Sequence, residues 1–202
     1  MMADVVVCGV GGQGVLLLAE VLGTAALKSG LDVRVSEIHG MAQRGGSVIC
    51  HVRAREGAVY APTILDGSAD VLLALELAEA IRAVRFVGPG TLALVSTRAI
   101  RPVMVSLGLA SYPSREDVEA ALEEAGARVL FVDALKLAEE AGSPLAQNMV
   151  MAGALYATGL FPVRRDALIR AIEELVPPRY IEVNLKAFEL GEKAVEGRVP
   201  GR

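Results

Sequence analysis

The sequence predicts an α/β protein: an open, mostly parallel Rossmann-like sheet with helices on both faces and a helical C-terminal third. Three observations predict it. A short β-branched run ends in a glycine-rich turn that opens a helix. Strand-like and helix-like segments then alternate. From Leu135 onward the pattern is helical, broken only near Gly142–Pro144, Gly159–Pro162 and Pro177–Pro178.

Asp4–Val10 has the short, β-branched character of a buried parallel strand. The turn Gly9-Val10-Gly11-Gly12-Gln13-Gly14 leads into a helix over about Gln13–Ser29, stopped by Gly30. Its polar positions, Glu20, Thr24 and Lys28, form one narrow stripe, which predicts packing against the sheet on one side and against another layer or subunit on the other. Strands are predicted over Leu31–Ile38, Ser47–Ala54, Asp70–Leu75, Thr91–Ser96 and Arg128–Asp133, with a further strand over Pro102–Leu107. A helix is expected over Glu76–Arg85. Ser114 followed by Glu116 and Asp117 marks another helix start, a hydroxyl cap with acids near the positive end of the dipole. Residues 1–196 are expected to form a single domain and 197–202 a loose tail.

The 202 residues suffice for one hydrophobic core, and 53% of them are hydrophobic, an excess that points to surface covered by a partner. No run reaches the roughly 20 apolar residues of a bilayer span. The start of the chain has no basic region of the signal-peptide kind, so a cytoplasmic location is expected. A net charge of −4 without a basic run argues against nucleic acid. Cys8 and Cys50 form no CxxC pair and too few ligands for an iron–sulfur cluster; two buried strand thiols are expected. The acidic pairs Glu123-Glu124, Glu139-Glu140 and Glu173-Glu174 read as solvated helix faces.

Gly9, Gly11 and Gly14 fit G-x-G-x-x-G between a strand and a helix. Such a turn brings a phosphate against free N–H groups at a helix start. Glu37, at the end of the next strand, would then take a ribose hydroxyl, and the chain would be a stand-alone dinucleotide-binding oxidoreductase or a nucleotide-binding module. A second polar, glycine-containing loop follows that strand, His39-Gly40-Met41-Ala42-Gln43-Arg44-Gly45-Gly46. Both loops follow strands, which places them at one end of the sheet, where ligands of open α/β proteins bind. Arg44 suits a phosphate or carboxylate, and His39 suits a hydrogen bond or a proton transfer. The other reading of this loop is a structured segment pinned by Arg44 to a neighbouring subunit.

With both loops in view, a resemblance emerges. Gly9-x-Gly11-Gly12-Gln13-Gly14 followed by Ser36-Glu37-x-His39-Gly40-Met41-Ala42-Gln43-Arg44-Gly45-Gly46-Ser47 resembles the indolepyruvate:ferredoxin oxidoreductase beta-subunit family. That family is similar to the gamma subunit or domain of pyruvate and other 2-oxoacid:ferredoxin oxidoreductases. Asn148-Met149-x-Met151-Ala152-Gly153-Ala154-Leu155, Pro162 and a last helix with Asn184, Phe188 and Gly191 extend the likeness over nearly the whole chain.

The resemblance implies coenzyme A-dependent oxidative decarboxylation of an aryl 2-oxoacid, with electrons passed to ferredoxin. It implies thiamine diphosphate, magnesium and iron–sulfur clusters in the complex, held mainly by a large partner subunit. This chain lacks the Gly-Asp-Gly with downstream Asn of a thiamine diphosphate site. It is therefore expected to be inactive alone, and to self-associate through its exposed partner face when isolated. Gly9, Gly11, Gly12, Gln13, Gly14, Gln43, Arg44, Gly45, Gly46 and Ser47 are the candidate cofactor-binding residues, lining an active-site wall or a seat for coenzyme A phosphates. His39 is the one candidate for a catalytic role.

Overall fold

Val5, Val6 and Val7 are fully buried, which is what a strand covered on both faces requires. In a computed structural model, which describes residues 2–40 and 45–198 and only the backbone of His39, they lie in β1 (Met2–Val10). The other strands are β2 (Asp32–His39), β3 (Ser47–Arg55), β4 (Val71–Ala74), β5 (Leu92–Ser96) and β6 (Arg128–Val132). They form one sheet in the order β2-β3-β1-β4-β5-β6. β1, β4, β5 and β6 are parallel; β3 is antiparallel to both β1 and β2, and is the one strand running against the rest. The sheet is thus mostly parallel, as predicted.

Helices cover both faces. On one lies α1 (Val15–Lys28) with the C-terminal helices α5 (Ala134–Ala141), α6 (Gln147–Ala157), α7 (Arg165–Leu175) and α8 (Ile181–Val195); on the other lie α2 (Leu77–Arg82) and α4 (Arg115–Glu124). The second layer over α1 is α7, and the exposed face of α1 carries Leu16, Glu20, Leu27 and Lys28. Ser114 caps α4 in a full capping box with Asp117, as its sequence foretells.

Helices α6 and α8 cross closely because two glycines face each other's backbones. A Cβ at Gly153 would stand 1.9 Å from the Phe188 carbonyl oxygen, and one at Gly191 1.9 Å from that of Val150. Met149, Val150, Met151, Ala152, Ala154 and Leu155 are fully buried around this crossing, so this apolar stretch is an internal helix. Among the described residues no helix is long and apolar enough to cross a membrane.

One predicted element is corrected. Pro102–Leu107 is not a strand: Val103–Ser106 forms the short helix α3, with Pro102 as its N-cap. Among the described residues the run has no neighbouring strand to pair with, and Val103, Met104 and Leu107 are exposed. The tail expected at 197–202 lies partly outside the described residues; within it, Arg198 donates from Nη1 to the Phe131 carbonyl at 3.3 Å.

Candidate functional site

The two glycine-rich loops meet at the carboxyl edge of β1. Because β3 pairs antiparallel with β1, Ser47 lies beside Val10 and the second loop ends over the first. Gly11 N–H donates to the Gly46 carbonyl at 2.8 Å, and Gly45 N–H to that of Gly11 at 3.3 Å. The expectation that both loops lie at one end of the sheet therefore holds.

The residues of the first turn divide by role. Gly9 is packed inside β1, where a Cβ would lie 2.8 Å from Val15 Cγ2 and 3.1 Å from Leu75 Cβ. Gln13 is buried: its Oε1 accepts from Val10 N–H at 2.8 Å and its Nε2 donates to the Leu75 carbonyl at 2.9 Å, bridging the ends of β1 and β4. Both are committed to the scaffold. Gly12 is exposed, and Gly14 caps α1 in the left-handed region (φ 77°), with its carbonyl accepting from Asn148 Nδ2 at 3.2 Å. The N-cap Gly14 has no side chain to cap α1, and among the described residues no side chain accepts from the N–H groups of its first turn, which lie at the positive end of the dipole.

Of the second loop, Gly45 is exposed and Gly46 and Ser47 are half-buried. Gln43, Arg44 and the side chain of His39 lie outside the described residues.

Beneath the loops sit two buried carboxylates that sequence reasoning missed. Glu76, two residues past the end of β4, caps α2, its Oε2 accepting from Glu79 N–H at 3.0 Å. Its Oε1 accepts from Ile100 N–H at 2.8 Å and from the Tyr112 hydroxyl. Burial pushes its carboxyl above the usual range, against the hydrogen bonds that favour the charged form. Glu79 is also buried; it accepts from the Ser47 hydroxyl and pairs with Arg82. One carboxylate thus secures the second loop and the other secures the segment after β5. The signal for them was available: two acids three residues apart inside an otherwise apolar run, at the carboxyl end of a strand. The pairs that were noticed, Glu123-Glu124, Glu139-Glu140 and Glu173-Glu174, are exposed on α4, α5 and α7.

Arg98, just past β5, donates from Nη1 to Gln147 Oε1 at 3.3 Å, which brings the start of α6 to the same edge. Cys8 and Cys50 are buried free thiols on β1 and β3. Burial, then the carboxylates Glu79 and Glu76, raises the Cys8 thiol well above its ordinary value; burial, then Glu37, pushes Cys50 up to about 12. His51 is buried against Phe86, its Nδ1 accepting from Ile64 N–H at 3.2 Å, and burial lowers its basicity.

Glu37 does not serve the first turn. β3 intervenes between β2 and β1, leaving Glu37 opposite Cys50 and two strand spacings, about 10 Å, from β1. A dinucleotide ribose seated by the turn would need that acid on the adjacent strand. Among the described residues no group of three or more His, Cys, Asp or Glu could hold a metal ion, and the two buried cysteines do not fit an iron–sulfur cluster.

Fold and site together define an α/β domain with a sheet edge built from paired glycine loops, its carboxylates Glu76 and Glu79 hydrogen-bonded within the fold and its two thiols buried. The chain belongs to the pyruvate ferredoxin/flavodoxin oxidoreductase family, whose model matches residues 4–194. It is 46% identical over 194 residues to the indolepyruvate oxidoreductase subunit IorB of Pyrococcus horikoshii, covering 96% of each chain. Its fold matches the pyruvate oxidoreductase subunit PORC of Thermotoga maritima (TM-score 0.73, 21% identity, 96% of each chain). It also matches the 2-oxoglutarate:ferredoxin oxidoreductase of Magnetococcus marinus, solved with 2-oxoglutarate, coenzyme A and succinyl-CoA (TM-score 0.75, 21% identity). There it covers 96% of this chain and 31% of that one.

Proposed function

We propose that this chain is the small subunit of an indolepyruvate oxidoreductase. It works with a large subunit that holds thiamine diphosphate, magnesium and the iron–sulfur clusters. The complex, in the cytoplasm, oxidatively decarboxylates an aryl 2-oxoacid, passes the acyl group to coenzyme A and reduces ferredoxin. The observation that carries the reading is the end-to-end 46% identity to an indolepyruvate oxidoreductase subunit.

Within that reading the paired loops contribute an anion seat at the subunit boundary. Gly12 is exposed, the first turn of α1 is uncapped by any side chain among the described residues, and Gly45 and Gly46 are bonded across the turn. With Gln43 and Arg44 they would line the cleft or receive the coenzyme A phosphates. Gly9, Gln13 and Ser47 support this wall from beneath.

Reconstitution tests the reading. Each subunit alone, and the two co-expressed, are assayed anaerobically for coenzyme A-dependent reduction of ferredoxin by indolepyruvate. Activity is expected only from the complex, and Arg44→Ala is expected to raise its KM for coenzyme A about tenfold. A stable complex that accepts another oxoacid and refuses indolepyruvate would change the substrate. Failure of the subunits to associate would end the proposal.

A further inference from the structure

Between β5 and α4 the chain forms an arm, residues 98–113, that leaves the carboxyl edge beside the glycine loops. Its large apolar side chains face solvent: Val103 is 72% exposed, Met104 54%, Leu107 65% and Leu109 68%. They cluster on and just after α3, where Leu109 N–H closes back on the Met104 carbonyl at 2.9 Å. Together they expose apolar surface on the order of 400 Å², comparable with the largest patch on a typical monomer, which is often functional.

The arm is fixed to the body at both ends. Leu77 N–H donates to the Arg98 carbonyl at 3.1 Å, and a single buried carboxylate, Glu76, takes both the Ile100 N–H and the Tyr112 hydroxyl. This apolar surface is therefore presented in a set position, which lowers the ordering cost of docking.

The charge around it selects the occupant. Within residues 98–113 the chain carries Arg98 and Arg101 and no acid, in a protein of net charge −4. Arg98 is bonded to Gln147, Arg115 beyond the arm lies over Phe131, and exposed Glu116 and Asp117 follow it, so Arg101 is the cation the arm presents. Arg101 is exposed and makes no ion pair among the described residues. A second copy of this arm would set like charges against each other. The complementary surface is an apolar cleft with carboxylates at its rim. The fold also occurs as 31% of a longer chain, in the Magnetococcus marinus protein.

We propose that the 98–113 arm is the docking element by which this chain binds its large subunit, inserting Met104 and Leu107 into an acid-rimmed apolar cleft. The proposal rests on the subunit reading above and names the surface that serves it.

The test measures association of the purified chain with the large subunit by calorimetry, for wild type, M104D/L107D, R101E and the control L27D/L65D. All the substituted positions are exposed, and circular dichroism verifies that each variant folds. M104D/L107D is expected to weaken association at least about 100-fold, and R101E about tenfold with a reduced salt dependence, while the control stays within about twofold. Wild-type chain that fails to bind any large subunit sinks the subunit reading itself. Wild-type binding with M104D/L107D unchanged overturns the arm alone. A wild-type homodimer dissolved by M104D/L107D would assign the arm to a second copy. Vesicle binding abolished by the same change, with subunit affinity intact, would assign it to a lipid surface; either result overturns the proposal.

Discussion

At the scale of single residues, the edge of the sheet is held by buried polar side chains that each satisfy two or more backbone groups. Gln13 is one: truncated to alanine it would strand the Val10 N–H and the Leu75 carbonyl in the interior. We expect Gln13→Ala to cost about 2–4 kcal/mol, read from urea unfolding, because two buried groups lose their partners at once. A loss below about 0.5 kcal/mol would mean that water reaches the turn. Glu76 offers a pH test. Its folded carboxyl titrates above the unfolded value of roughly 4.3, so between the two values the native state holds the extra proton. The stability this gives is present below the unfolded value and is lost as pH rises through the folded one. Glu76→Gln has no proton to lose. Its stability relative to wild type should therefore improve as pH rises from the unfolded value through the folded one and then level off; parallel curves would show that the carboxyl is not shifted.

At the scale of elements, what the sequence disclosed follows from which signals are local. Strand β1, helix α1 and the cap of α4 announce themselves through β-branching, periodicity and Ser114. The reversal of β3 does not, because parallel and antiparallel neighbours share the same apolar pattern; only pairing with both β1 and β2 decides it. Pro102–Leu107 misled because a short apolar run fits period 2 and period 3.6 equally. Gly9 and Gln13 were legible as part of a turn, yet their commitment to packing depends on Leu75, more than sixty residues away. Glu76 and Glu79 were legible as two acids in an apolar run, but their partners were hidden for the same reason: Ser47, Ile100 and Tyr112 reach them from distant parts of the chain. Gly191 carries the clearest prediction at this scale. Gly191→Ala drives a methyl into the Val150 carbonyl and forces α8 away from α6, at an expected cost of about 3 kcal/mol or more in thermal or urea unfolding. A change within about 0.5 kcal/mol would show that the two helices can separate freely.

At the scale of the whole molecule, the two thiols report on global opening. Cys8 and Cys50 lie on β1 and β3, adjacent strands within the sheet, and both are buried and held protonated. A thiolate reagent at pH 8 should therefore label neither in the native protein and both after unfolding. If labelling passes through the globally unfolded state with fast reclosing, both cysteines share one opening constant, equal to the inverse of the folding constant from urea. A partner that binds only the folded chain lowers that constant by 1 + [L]/Kd. Large subunit held at 100 times its Kd should slow both labelling rates about 100-fold, without touching either cysteine. The alternative outcome has a distinct signature. Local opening of the β2–β3 hairpin would expose Cys50 first, at a rate independent of urea, and only a partner lying across that hairpin would slow it. Equal protection of both thiols by the large subunit, lost in the M104D/L107D variant, would tie the stability of the sheet to docking through an arm on a different loop.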